Sequence, residues 1–271
     1  MELNGKVIVV TGGGNGMGRE LVLQSLAKGA RVAAVDLKEE SLAETKGLAG
    51  KNAQNLESFV VNITDKPAVD ALPNQVVARF GAVDALINNA GIIQPFLKIA
   101  DLDYSVIERV LNVNLYGTIN MTKAMLPYLL GRPEAHLVNI SSMGGFIPFP
   151  GQILYGASKA AVKLFTEGLG SELVGTSVRV TVVFPGAVQT NITANSGVSG
   201  APASEATSEK GNSFALSAAT AASIIIKGIE RNRKRVLVGK DAKVMDFLSR
   251  LMPVTTARLT EKMMRKMLPK T

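Results

Sequence analysis

Seven short runs of apolar, mostly β-branched residues, each followed by a longer stretch with helical periodicity, constrain this chain more than any other feature. The runs are KVIVV (6–10), RVAAV (31–35), LESFVV (56–61), VDALI (83–87), HLVNI (136–140), SVRVTVVF (177–184) and RVLVG (235–239). They are nearly continuous rather than alternating, the pattern of strands covered on both faces. Helices are predicted over 16–28, 39–49, 65–80, 104–130, 152–174 and 215–231. The expected fold is α/β: a single doubly wound Rossmann-type domain of about seven parallel strands with helices on both faces and right-handed crossovers. In such a sheet, ligands bind at the carboxyl ends of the strands, where the strand order reverses.

The residue inventory narrows the chemistry. With no cysteine among 271 residues, disulfides, thiolate catalysis and cysteine–metal sites are excluded. The single histidine, His136, cannot build a multi-histidine metal site, and its place at a strand start suggests an edge residue without a catalytic part. No metal is expected. An acid or base must come from Tyr, Lys, Asp or Glu. The start MELNGKVIVVTGG lacks the basic and apolar segments of a signal peptide, and no run of 18 apolar residues occurs, so a cytoplasmic protein is expected.

VVTGGGNGMGRE follows the first strand and opens the first helix. Gly12, Gly16 and Gly18 are the candidates for a tight turn that lets a pyrophosphate approach the helix N-terminus, with Asn15 and Met17 between them in the same cradle. Asp36 ends the second strand, where a carboxylate can accept hydrogen bonds from both adenosine ribose hydroxyls and repel the additional phosphate of NADP. Leu37 follows it without charge, and Asn15 brings none to the turn. NAD is the expected cofactor, although Lys38 lies close by. A strand-end acid capping the next turn is the competing account of Asp36.

Further motifs occur in order. They are NNAG (88–91), NLYG (114–117), ISS (140–142), YGASK (155–159) and PGAVQT (185–190). Together with TGGGNGMG they resemble the short-chain dehydrogenase/reductase family over roughly residues 1–190, and weakly to 240. The resemblance implies that Tyr155 is the general acid or base of hydride transfer between a nicotinamide and a carbonyl or alcohol. Lys159 would bind the nicotinamide ribose and lower the tyrosine pKa. Ser142, 13 residues before Tyr155, would hold the substrate oxygen, and Asn114 would hold a water in a proton relay. Asn62 and Ile63 would contact adenine, and Asn89, Ala90 and Gly91 the adenosine ribose. Pro185, Gly186, Val188 and Thr190 would surround the nicotinamide. Dimers or tetramers are implied. The family's shorter members finish soon after the last strand, whereas about 30 residues follow it here.

The residues suit that chemistry. A tyrosine near pKa 10 is a reluctant base, and an ammonium four residues away on the same helical face stabilises its phenolate. Gly156, Ala157 and Ser158 between them are expected to leave room for nicotinamide and substrate. A strand-end serine can give a second hydrogen bond to the same oxygen. Without the other motifs, each of these residues has an ordinary structural explanation: a surface pair, a helix cap, a kink-bridging asparagine. The competing functions are an NADP-dependent carbonyl reductase and a non-catalytic dinucleotide-sensing module.

Phe96, Phe146, Ile147, Phe149 and Leu154 flank the expected cleft and suggest an apolar alcohol or ketone as substrate. The Gly-, Ala- and Ser-rich segment 193–213 reads as a lid or a plain surface loop. The net charge of +8 belongs to the end of the chain, where residues 227–271 carry 13 Lys and Arg against 4 Asp and Glu. No nucleic-acid motif accompanies it, so no nucleic-acid partner is expected. Residues 1–240 are read as the catalytic domain and 241–271 as a basic amphipathic extension. Val244, Phe247, Leu248 and Leu251 make one apolar stripe in it, and Leu259, Met263 and Met267 another. Three accounts stand for the stripe: packing on the domain or a second subunit, covering the cleft, or peripheral contact with an anionic membrane.

Overall fold

The computed structural model of the chain describes residues 1–198 and 215–264. All seven runs are strands: β1 (Val7–Thr11), β2 (Arg31–Asp36), β3 (Leu56–Val60), β4 (Ala85–Asn88), β5 (Ala135–Ile140), β6 (Val178–Pro185) and, after two short strands β7 (Val188–Gln189) and β8 (Leu216–Ser217), β9 (Arg235–Val238). The seven form one parallel sheet in the order β3-β2-β1-β4-β5-β6-β9. Alternation along β1 explains the continuous apolar run. Val7 and Val9 join a core on one face, and Ile8 and Val10 a core on the other. Both faces are covered, so neither set is free to be polar.

The first core packs against α1 (Gly16–Ala27) and a late helix, Ala218–Glu230; the second packs against α3 (Lys66–Phe80), α5 (Gly117–Leu130) and α6 (Ile153–Glu172). The remaining helices before position 200 are α2 (Glu39–Leu48), α4 (Tyr104–Leu111) and α7 (Ile192–Asn195). We number the late helix α8; it is followed by α9 (Lys240–Leu251) and α10 (Pro253–Met264). The strand order reverses between β2 and β4, on either side of β1: Val9 pairs with Ala33 on one side and Leu86 on the other. The carboxyl ends of β1, β2, β4, β5 and β6 carry the glycine turn, Asp36, NNAG, ISS and PGAVQT, whereas NLYG lies at the start of α5 and YGASK within α6.

Four expectations are corrected. The stretch 104–130 is helical throughout but not uniformly α-helical, because a π-helical turn at Asn112–Tyr116 lies between α4 and α5. His136 is not an edge residue. It is fully buried in β5 between β4 and β6, and its Nε2 meets Thr181 Oγ1 at 2.7 Å. Burial holds its pKa down at about 3, so the imidazole is neutral.

The third correction concerns the C-terminal stripe, whose packing on the domain, one of the three accounts given for it, reaches only Leu248, which is half-buried. Val244, Phe247 and Leu251 are exposed, while Ala242 and Asp246 are the residues of α9 turned inward. The fourth concerns the small residues between Tyr155 and Lys159, described below. Of the segment 193–213, residues 199–213 lie outside the described residues, as does Met267. The described part ends in Val198, buried against Ile93 and Phe96.

Candidate active site

The glycine turn closes on itself. Gly12 has φ +68°, and a Cβ on Gly18 would fall on the Gly12 carbonyl oxygen, so the first turn of α1 can begin directly under the loop only without a side chain there. Asn15 stands at the N-cap but makes no capping hydrogen bond, and no acid lies in the first turn. The helix therefore keeps free N–H donors and an uncompensated positive end, as an anion such as a pyrophosphate requires. Met17, on the second residue of α1, packs its side chain against the core beneath. The residues present fit a dinucleotide.

Asp36 ends β2 beside this turn. Its Oδ2 accepts the Gly14 N–H at 3.0 Å and its Oδ1 the Lys38 N–H at 3.2 Å. The carboxylate is thus aimed by the backbone and keeps further lone pairs for a ligand. Both accounts of Asp36 hold at once, since it supports the next turn and borders the cradle. Leu37 is 64% exposed. Arg19 was not singled out in the sequence. Its guanidinium donates to the Gly14 carbonyl at 2.7 Å and is paired with Glu44 at 2.6 Å, which compensates the one cation bonded to the glycine loop among the described residues.

Thr11, the first residue of TGGGNGMG, joins NNAG to the cradle, a role the motif itself does not state. Its Oγ1 accepts the N–H groups of both Asn89 and Ala90 at 3.0 Å, and Asn89 Nδ2 returns a bond to the Thr11 carbonyl at 3.0 Å. Asn62 follows β3 and is used by its own turn, accepting from Thr64 at 3.0 and 2.9 Å. Ile63 is buried against Gly117, the glycine of NLYG.

The catalytic candidates converge on α6. Tyr155 and Lys159 share one face, with Lys159 Nζ 6.0 Å from the Tyr155 ring centre. Lys159 is buried, and its Nζ donates to the Ile140 carbonyl at 2.9 Å. Desolvation lowers its pKa to about 8. The π-helical turn places Asn114 in the interior. Its Oδ1 accepts the Ile92 N–H at 2.8 Å, and its Nδ2 donates to the Ile92 carbonyl and to Ser158 Oγ, both at 2.9 Å. Gly91 lies between Lys159 and Asn114, since a Cβ there would stand 3.1 Å from Lys159 Nζ and 3.3 Å from Asn114 Oδ1.

Ser142 starts a 3-10 turn after β5, its Oγ accepting the Gly144 N–H at 3.1 Å. That turn is pressed against α6. Ser141 Oγ donates to the Lys159 carbonyl at 2.7 Å, and a Cβ on Gly156 would stand 3.0 Å from the Gly144 carbonyl oxygen. This is the fourth correction. Gly156 is small to admit the Ser142 turn, and Ser158 is small and polar to bond Asn114; of the three intervening residues only Ala157 is exposed.

Gln94 is a further residue the sequence did not flag. Fully buried, it accepts the N–H groups of Leu154 and Tyr155 at 2.7 and 3.2 Å through Oε1, and its Nε2 donates to the Gly151 carbonyl at 3.0 Å. It caps α6 from a distant loop, because Gln152 at the N-cap makes no such bond.

The 185–190 turn is held by Asp241 of α9, whose Oδ2 accepts the Ala187 N–H at 2.7 Å and which lies where a side chain on Gly186 would have to go. Pro185, Gly186 and Val188 are half-buried, and Thr190 lies beside Gly16, closing the ring of motifs. The apolar residues divide. Phe96 joins Ile93 and Val198 against Tyr155, whereas Phe146 stacks edge-on to Phe184 at 5.4 Å. Ile147 and Phe149 line a groove of about 340 Å³ with Ile153, Ala157 and Ala160, on a different side of α6 from Tyr155 and Lys159.

Comparison with known proteins matches residues 6–199 to the family described as short chain dehydrogenase. The chain is 37% identical over 269 residues to SadH of Mycobacterium tuberculosis, named as an oxidoreductase, covering 98% of this chain and 97% of that one. A short chain dehydrogenase/reductase from Burkholderia phymatum in complex with NAD superposes with TM-score 0.81 and 25% identity, covering 100% of this chain and 98% of that one. A short chain dehydrogenase from Burkholderia cenocepacia in complex with NADP superposes with TM-score 0.78 and 26% identity, covering 96% and 99%.

Proposed function

The chain belongs to the short-chain dehydrogenase/reductase family, and from that premise we propose that it is an NAD-dependent oxidoreductase interconverting an apolar secondary alcohol and its ketone. The observation that carries the reading is the convergence of Tyr155, Lys159, Asn114 and the Ser142 turn around α6, beside the dinucleotide cradle.

The nicotinamide, when bound, supplies or accepts the hydride. The cradle from Gly12 to Gly18 holds the pyrophosphate on the α1 N-terminus. Asp36 takes the adenosine ribose, Asn62 and Ile63 border the adenine, and Asn89 to Gly91 line the ribose side. Pro185, Gly186, Val188 and Thr190 position the nicotinamide end. Tyr155 gives its hydroxyl proton to the carbonyl oxygen in reduction and takes it back in oxidation. Lys159 favours the phenolate by charge, and with a pKa of about 8 it keeps its proton at neutral pH. Ser142 donates a second hydrogen bond to the reacting oxygen. Asn114 holds the water through which the proton leaves.

Asp36, uncharged Leu37 and the pairing of Arg19 with Glu44 support NAD over NADP. Ile93, Phe96 and Val198 beside Tyr155 support an apolar substrate. We read residues 1–240 as the catalytic unit and 241–271 as an extension of it. The test follows nicotinamide absorbance over a panel of alcohols and ketones with each cofactor. Turnover of apolar secondary alcohols or ketones with NAD(H) is expected. Turnover of small polyols alone, or clearly tighter NADP binding, overturns the corresponding part.

A further inference from the structure

Sixteen large apolar side chains are exposed among the described residues, and six of them fall within 244–259: Val244, Phe247, Leu251, Met252, Val254 and Leu259. Single exposed apolar residues need no explanation, but a concentration on two consecutive helices does. Phe247 and Leu251 are each 65% exposed.

The rotation of α9 is fixed by polar anchors. Asp241 accepts the Ala187 N–H, and Asp246 is ion-paired to Arg235, whose guanidinium lies 4.0 Å from the centre of the Phe184 ring. These bonds turn the acids of α9 toward the body, so they turn its apolar stripe toward solvent. The same rotation sorts the charges. Lys240, Lys243, Arg250, Arg258 and Lys262 are exposed, and Glu261 is the single exposed acid between 240 and 262.

We propose that this face docks on an anionic lipid surface, with Val244, Phe247 and Leu251 at the acyl boundary and the surrounding cations among the headgroups. An apolar stripe rimmed by Lys and Arg on a helix too polar and short to cross a bilayer has that preference. A second copy fits poorly, because an isologous contact would set the same five cations against themselves. Since Asp241 joins α9 to the 185–190 turn, docking brings the carboxyl edge of the sheet close to the bilayer, a route for apolar molecules. The docking itself does not depend on the proposed reaction.

The chain has no tryptophan, so Phe247→Trp in the full-length protein reports on the face without background. With phosphatidylserine–phosphatidylcholine vesicles, its emission is expected to shift to the blue and the protein to pellet with the lipid. Phosphatidylcholine vesicles alone and high salt should weaken both. The pair Phe247→Asp and Leu251→Asp should lower pelleting at least about tenfold, and Lys243→Ala about fivefold. An unshifted emission, or undiminished pelleting of the double variant, overturns the proposal. So does an equal blue shift with soluble polyglutamate, which assigns the face to an acidic polypeptide. A halved particle mass in the double variant, with pelleting intact, assigns it instead to contact between copies.

Discussion

Two helices of this molecule, α6 and α9, are both amphipathic, yet they use their apolar stripes in opposite ways. In α6 the buried polar bonds and the apolar stripe agree. Ser158 bonds Asn114 and Lys159 bonds Ile140, while Val162 and Leu169 enter the core along the same side. In α9 they disagree. Asp241 and Asp246 hold the inward side through Ala187 and Arg235, and the stripe of Val244, Phe247 and Leu251 is left outside. A buried carboxylate without its partner costs more than an exposed apolar side chain gains from burial, so the polar anchor decides the rotation.

Substitutions on the two helices should therefore differ in kind. The largest effect is expected on the inner face of α6, where Tyr155→Phe should lower turnover by about 10² to 10⁴. Its cofactor affinity, measured by calorimetry, should stay nearly unchanged. Turnover near the wild-type level would remove Tyr155 from the chemistry. On the inner side of α9, Asp246→Ala removes the buried acid from the Arg235 guanidinium over Phe184, leaving it paired to the half-exposed Glu167, and should cost about 1–3 kcal/mol in urea unfolding.

Lys159 gives α6 a pH signature. Its folded pKa of about 8 lies below the value of 10.5 for the free side chain, so between those pH values the unfolded chain holds more protons. Its burial penalty is complete below pH 8, and stability should rise as pH climbs from about 8 toward 10.5. Lys159→Met should lack that rise in urea midpoints taken across the window; an equal rise in both proteins would break the assignment. The smallest effect is expected on the outer side of α9, where Phe247→Ser should change stability by less than about 0.5 kcal/mol. A loss comparable to that of Asp246→Ala would mean that the stripe is packed after all.

Most of the fold was legible because a parallel strand covered on both faces writes a continuous apolar run, and such runs do not depend on distant residues. The candidate site was legible where local motifs sit at strand ends, as with Gly12, Asp36, Asn89 and Ser142, or on one helical face, as with Tyr155 and Lys159. Arg19, Gln94 and Asp241 were not, nor was the role of Thr11 within TGGGNGMG. Each acts on a partner far along the chain, as when Gln94 caps a helix that begins about sixty residues later. Their residue types carry no mark of it. The π-helical turn was hidden for the same reason: Asn114 is drawn inward by Ile92 and Ser158 rather than by its neighbours in sequence.

The sequence by itself determined the element order, the parallel sheet, the family and the positions of the candidate residues, because periodicity and short motifs are local properties. The tertiary structure alone decided that His136 is interior, that Gly156 is small so that the Ser142 turn can approach, and that the stripe of α9 faces solvent. Those outcomes depend on which buried donors and acceptors find one another across the chain, and a partner close in space leaves no trace in sequence spacing.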